Sequence, residues 1–180
     1  MLIVEGPDGA GKTTLIERLK ADLGLEVAPR VVSKEAKALV NLVEWVDDNL
    51  NRGFQHLIFD RHRLISQPIY GPAMKRTSQG FDGIHQISYW MRRFYEIDPI
   101  IIYCLPRKST VLKNVLGDKS NAVVWNIIGP IYDAYVTRAA IDLSRTPAGE
   151  PTRVFIYDYE IYDTYYPAML AAIRNRLEHS

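Results

Sequence analysis

The chain has 180 residues, 47% of them hydrophobic and 24% charged, with a formal net charge of +1. A length of this order fits one domain that buries roughly two-thirds of its unfolded surface. The near-neutral balance excludes a long-range field for nucleic acid or an anionic membrane, so an anionic ligand has to be held by local geometry.

The opening apolar run, MLIV, is four residues long and leads straight into a glycine-rich stretch, which predicts neither a signal peptide nor a membrane span. Cys104 is the single cysteine, so an internal disulfide is ruled out. A cytoplasmic protein is the expectation.

In chain order, LIVE (2–5) predicts a strand stopped by glycine, and Leu15, Ile16, Leu19 and Leu23 give residues 13–23 helical spacing. A second strand is predicted over 27–32, interrupted by Pro29. Ser33 then caps a helix with Ala36, Leu39, Val40, Val43, Val46 and Leu50 on one side. HLIFDR (56–61) is a third strand whose last residues turn polar. SQPIYGP (66–72), with two prolines and a glycine, predicts a loop or short helix, followed by about ten irregular residues.

Helical spacing returns at Ile84, Ile87, Met91 and Phe94. The most apolar strand begins after Pro99, and a short helix over 109–116 follows it. The polar stretch 116–122 suits a surface loop that can act as a lid. A helix over 124–141, a strand in RVFIYD (153–158) and a helix over 165–177 complete the chain. Five strands separated by helices predict one α/β domain with a mainly parallel five-stranded sheet covered by helices on both faces.

The sharpest local signal is VEGPDGAGKTT. Gly6, Gly9, Gly11, Lys12 and Thr13 satisfy G-x-x-x-x-G-K-[ST] between a predicted strand and helix, the P-loop context. Glycines let the backbone turn its amides inward, Lys12 carries charge to the β and γ phosphates, and the Thr13 hydroxyl can join a magnesium shell. Gly9, Ala10, Gly11, Lys12, Thr13 and Thr14 are therefore the expected donor-binding residues, for a purine nucleoside triphosphate such as ATP with Mg²⁺.

Asp8 is a carboxylate inside an anion-binding loop and needs another task, either a sugar hydroxyl or a metal-bound water. Glu5, at the strand end, orients the loop. Asp60-Arg61 is a second polar strand end. Carboxyl ends of parallel strands converge on the ligand crevice, where Asp60 can approach Mg²⁺ and Arg61 can bridge transferring phosphates.

The combination EGPDGAGKTT and FDRH, followed by Ser66 and Tyr70, resembles thymidylate kinase and its wider nucleotide-kinase family. The resemblance implies ATP-dependent phosphorylation of a deoxynucleoside monophosphate, with dTMP first. Lys12, Arg61 and Asp8 would be the catalytic set, with Thr13 and Asp60 at the metal. Asp8 would approach the deoxyribose 3′-hydroxyl and Arg61 the acceptor phosphate, while Ser66 and Tyr70 would help build the monophosphate site, Tyr70 near the sugar and base. Trp45 would stack on the base, and Arg30 would take the place of a phosphate-binding arginine.

Two departures stand out. Arg30 sits in APRVV without the family's R-E-P-G surroundings, and the lid offers Lys119 where the family uses arginine. A homodimer through helices is a further implication of the family. The rivals are a deoxynucleoside kinase, which resembles E-R-S where this chain has D-R-H, and a nucleotide-binding protein without transfer activity. The partner expected is a nucleotide substrate, not nucleic acid or membrane.

Overall fold

A computed structural model of the chain describes residues 1–28, 57–75, 84–118, 124–147, 150 and 152–178. Its strands are β1 (Leu2–Glu5), β2 (Glu26–Val27), β3 (Leu57–Asp60), β4 (Ile100–Cys104) and β5 (Val154–Tyr157). They form one parallel sheet in the order β2-β3-β1-β4-β5. The helices are α1 (Lys12–Leu23), α2 (Arg63–Ala73), α3 (Ile84–Glu96), α4 (Lys108–Gly117), α5 (Ile128–Ser144) and α6 (Tyr162–Glu178), with a short 3-10 turn at Tyr159–Ile161 before α6.

The α/β architecture expected from the alternation of apolar runs is the one observed. Leu2, Ile3, Val4, Ile58, Phe59 and all of Ile100–Cys104 are buried, as central parallel strands with both faces covered must be. On one face α6 packs on α1, where the Tyr166 hydroxyl donates to Asp22 at 2.6 Å and Arg18 lies over the Tyr166 ring. On the other face the buried carboxylate of Asp142 on α5 accepts from Tyr95 of α3 at 2.6 Å, Tyr103 of β4 at 2.5 Å and Arg138 at 2.8 Å. A carboxylate satisfied by three donors locks α3 and α5 to the sheet.

Several boundaries differ from the sequence expectation. SQPIYGP lies within α2, an eleven-residue helix that contains Pro68 and Pro72. His62 caps it: its Nδ1 accepts from the Leu64 N–H at 3.3 Å, and its carbonyl accepts from Ile65 and Ser66 at 2.9 Å each. Proline's fixed φ is helical, and burial of Leu64, Ile65, Ile69 and Tyr70 outweighs the hydrogen bonds that the two prolines forgo.

The described part of the second strand is only Glu26–Val27, and residues 29–32 lie outside the described residues. Leu116 and Gly117, expected at the start of the lid, belong to the last turn of α4, and 119–122 lie outside the described residues. Trp125 ties the far side of that segment to α4, its Nε1 donating to the Val115 carbonyl at 2.9 Å. Among the described residues, no helix is long and apolar enough to cross a membrane.

The strand order turns at β1, which leads to β2 on one side while β4 flanks it on the other. Register sets Val4 beside Asp60, Glu5 beside Tyr103 and Cys104 beside Tyr157. The carboxyl ends of β1, β3, β4 and β5 thus open on one edge, where an α/β sheet forms its ligand crevice.

Candidate active site at the glycine-rich loop

The glycine-rich loop runs from the end of β1 into α1 and lines a cavity of about 740 Å³. Gly9 and Gly11 have φ of 76° and 80°, the left-handed region that side chains disfavour. Neighbours enforce the same choice: a Cβ on Gly9 would meet Val115 at 2.8 Å, and one on Gly11 the Tyr159 ring at 2.9 Å. Thr13 and Thr14 stand exposed in the first turn of α1 and line the cavity with Asp8, Gly9, Ala10, Gly11 and Lys12. The donor-binding residues expected from the motif are therefore together.

Lys12 is buried, and its Nζ donates to the Pro7 carbonyl at 2.7 Å across the loop. Burial, reinforced by the nearby charge of Arg61, pushes its ammonium down to about 8. A cation held where water is scarce is well placed to gain from a phosphate.

At the end of β3 the chain bends sharply, and Arg61 takes φ of 69°. Its own N–H donates to the Val4 carbonyl at 2.9 Å, and the next N–H, of His62, donates to Glu5 Oε1 at 2.6 Å. This aims the guanidinium across the loop. Nη2 donates to Asp8 Oδ1 at 2.6 Å, to the Tyr70 hydroxyl at 2.8 Å and to the Gly6 carbonyl at 3.3 Å. Tyr70 closes the cluster by donating to Asp8 Oδ2 at 3.0 Å while accepting from the Asp8 N–H at 3.1 Å. Burial alone would raise the Asp8 carboxyl, but the charges of Arg61 and Lys12 and the two side-chain hydrogen bonds hold it below the usual aspartate value.

Asp8, Arg61 and Tyr70, singled out from three separate stretches, thus form one cluster. Asp60 lies at the end of β3, opposite Val4. Ser66 is on α2 with its hydroxyl donating to the His62 carbonyl at 3.2 Å, and it is not among the residues lining the cavity. Arg30 and Trp45 lie outside the described residues, as does Lys119. At the start of α4, Lys108 pairs with Asp133 at 2.6 Å and Arg107 with Glu160 at 3.9 Å.

The structure adds residues that the motifs did not indicate. Asn114, Asp118, Tyr157 and Tyr159 also line the cavity. No local pattern marks Asn114, Tyr157 or Tyr159, because they arrive from α4 and the β5 end, whereas Asp118 falls in the 116–122 stretch expected as a lid. Glu5 has a larger part than loop orientation. Fully buried, it accepts from the His62 N–H and, through Oε2, from the Tyr135 hydroxyl at 3.0 Å.

Burial raises the Glu5 carboxyl to about 7, against the lowering effect of its hydrogen bonds and of Arg61. The folded chain therefore holds a proton here that the unfolded chain has released between about pH 4.5 and 7. The stabilisation from that proton is complete below 4.5 and lost as pH rises through 7. Glu5→Gln should flatten the fall in stability across this window, as read from urea midpoints at pH 5 and 7.5; an unchanged slope would disprove the assignment.

Among the described residues, no group of three His, Cys, Asp or Glu side chains could hold a metal ion alone. Mg²⁺ asks for less, since it keeps waters and takes one or two protein oxygens beside substrate phosphates. The Thr13 hydroxyl in the cavity wall is an oxygen donor of that kind, so the site fits this ion through Thr13, while Asp60 ends β3 beside Val4 and is not among the residues lining the cavity.

No protein-family model matches the chain, and no curated protein sequence matches it. Solved structures do. The YorR protein of Bacillus subtilis, solved in complex with phosphorylated GDP, is 18% identical with a TM-score of 0.70, covering 99% of this chain and 96% of its own. Deoxyadenosine kinase from M. mycoides with bound dCTP is 18% identical with a TM-score of 0.56 over 100% of both chains. The same enzyme with bound dATP is 15% identical with a TM-score of 0.50, covering 98% of each. At these identities the likeness is one of fold, and the chain has the parallel α/β fold of the P-loop kinases.

Proposed function

We propose that this chain transfers the γ-phosphoryl group of ATP to a deoxynucleoside monophosphate, dTMP first among them, giving ADP and the deoxynucleoside diphosphate. The observation that carries this proposal is the Asp8–Arg61–Tyr70 cluster. It gives the phosphate loop a second face. The glycines, Lys12 and Thr13 serve the donor, while a permanent cation and a carboxylate stand ready for an acceptor bearing both a phosphate and a sugar hydroxyl.

In the resting protein Arg61 is neutralised by Asp8. A dianionic acceptor phosphate competes for the guanidinium, which offers several donors in a fixed fork, and this frees the Asp8 carboxylate to accept from the sugar hydroxyl. An acceptor phosphate oxygen then bonds to the γ phosphorus as the bond to the β–γ bridging oxygen breaks, and that oxygen leaves on ADP. Lys12 and Arg61 balance the charge on the transferring group, and positioning supplies most of the acceleration. Thr13, with Asp60 at the end of β3, would hold Mg²⁺, which when bound would supply positive charge against that of the donor phosphates.

A second reading, phosphorylation of a deoxynucleoside hydroxyl, is favoured by one observation. Glu5 is a buried carboxylate poised near pH 7, the range of a general base. Its oxygens already hold His62 and Tyr135, which argues for a positioning task instead. ADP release from Mg-ATP across a panel of nucleosides and nucleoside monophosphates separates the two. We expect turnover on the order of 1–100 s⁻¹ with a deoxynucleoside monophosphate; transfer to nucleosides only, or basal hydrolysis throughout, would defeat the proposal.

A further inference from the structure

Three carbonyls of the glycine-rich loop are held by side chains. Gly6 is held by Arg61 and Pro7 by Lys12, both already placed in the transfer machinery. The third, Gly9, accepts from Asn114 Nδ2 on α4 at 2.9 Å, a contact between residues 105 positions apart. The peptide bonds of the described chain are not cis. In a trans peptide the carbonyl and the following N–H point to opposite sides. Tying the Gly9 carbonyl to α4 therefore fixes the plane of the Gly9–Ala10 peptide, and with it the direction of the Ala10 N–H.

Asn114 is well braced for this task. The turn of α4 that carries Val111, Asn114 and Val115 lies so close to Gly9 that an added Cβ there would meet all three. The same Nδ2 donates to the Tyr159 hydroxyl at 2.9 Å, and the Tyr159 ring rests on Gly11. One residue on, Glu160 accepts from the Arg107 N–H at 3.0 Å and the Thr110 hydroxyl at 2.9 Å, joining the start of α4 to the same turn. Two hydrogen bonds from one amide thus link α4, the turn after β5 and the phosphate loop. Asparagine suits this place, because aspartate has no N–H to donate.

We propose that Asn114 is a positioning residue for the donor triphosphate: held by Tyr159, it fixes the Gly9–Ala10 peptide so that the Ala10 N–H is presented to the phosphates. This rests on the glycine-rich loop being the triphosphate site, as set out under Proposed function, and is independent of the acceptor.

The test is binding of Mg-ATP and of Mg-tripolyphosphate, measured by calorimetry on wild type, Asn114→Ala, Asn114→Asp and Tyr159→Phe. Unfolding midpoints are recorded alongside. Asn114→Ala should weaken both ligands about tenfold, the scale of one oriented hydrogen bond. Asn114→Asp should weaken them more, since its carboxylate faces the Gly9 carbonyl and the incoming phosphates. Tyr159→Phe keeps the ring on Gly11 but removes the brace, and should weaken both about threefold. In turnover the KM for ATP should rise with the KM for the acceptor unchanged.

A folded Asn114→Ala that binds both ligands as wild type does, whether or not its midpoint falls, would overturn the proposal. Should that variant fail to fold, wild-type affinity in Tyr159→Phe would do the same. Failure of the wild type to bind either ligand would overturn both this proposal and the donor assignment. Binding without turnover of any acceptor would count against the acceptor assignment alone.

Discussion

Lys12→Met lowers kcat/KM with ATP on the order of 100- to 1,000-fold for every acceptor, and yet raises the unfolding midpoint at pH 7 by a few degrees: this is the first expected result. The loss follows from geometry. Lys12 is a donor aimed into the cavity from a buried position, and removing one such preorganised group commonly has an effect of that size. The gain follows from the same burial. The ammonium is pushed down to about 8 from 10.5, so between those values the unfolded chain holds a proton that the folded chain has released. Stability therefore rises with pH across that window, and the penalty of burying the charge is fully present below pH 8.

Methionine keeps the length and apolar stem without the charge. Its stability advantage at pH 7 should shrink toward pH 10, and it should reverse in saturating Mg-ATP, which stabilises only the protein that binds it. Thermal unfolding at pH 7 and pH 10, with and without nucleotide, reads all three effects. A variant less stable than wild type at pH 7 would show that the Lys12 bond to the Pro7 carbonyl outweighs the desolvation of the ammonium.

Arg61 separates chemistry from backbone strain. Its φ of 69° is imposed by two hydrogen bonds, from its own N–H to the Val4 carbonyl and from His62 to Glu5. A left-handed conformation costs roughly 1–2 kcal/mol for a residue with a Cβ. Arg61→Ala and Arg61→Gly both delete the guanidinium, leaving Asp8 and the Gly6 carbonyl without it. Both should lose on the order of 1,000-fold in transfer to the acceptor, the scale of removing an arginine that neutralises a transferring phosphoryl group.

The two variants should nevertheless differ in stability. Glycine escapes the left-handed penalty, so Arg61→Gly should exceed Arg61→Ala by about 1 kcal/mol, or roughly 2–4 °C in unfolding midpoint. Asp8 loses its chief counter-charge in either variant, and its carboxyl should titrate at a higher pH than in wild type. Wild-type acceptor KM and kcat in both variants would remove Arg61 from the acceptor site. Equal midpoints would show that the strain is dispersed elsewhere.

Much of the fold and part of the candidate site are legible in the linear chain, and what they share is short range. The alternation of apolar runs and helical spacings dictates β1, α1, β3, β4, α4, α5 and β5 to within a few residues. The glycine-rich loop is equally local, since its glycines, Lys12 and Thr13 lie within eight consecutive positions and share one backbone turn. Asp60-Arg61 is visible as a polar end on an apolar strand.

What only the tertiary structure decided is long range. Two prolines argue against α2, and buried Leu64, Ile65, Ile69 and Tyr70 override them. Glu5 reaches His62 and Tyr135, Tyr70 reaches Asp8, and Asn114 reaches Gly9, across 57 to 130 residues. Side-chain periodicity reports which face of an element is buried. It carries no record of which strand will lie beside which, and that strand order alone brings the carboxyl ends of β1, β3, β4 and β5, with their hydrogen-bonding partners, to one edge of the sheet.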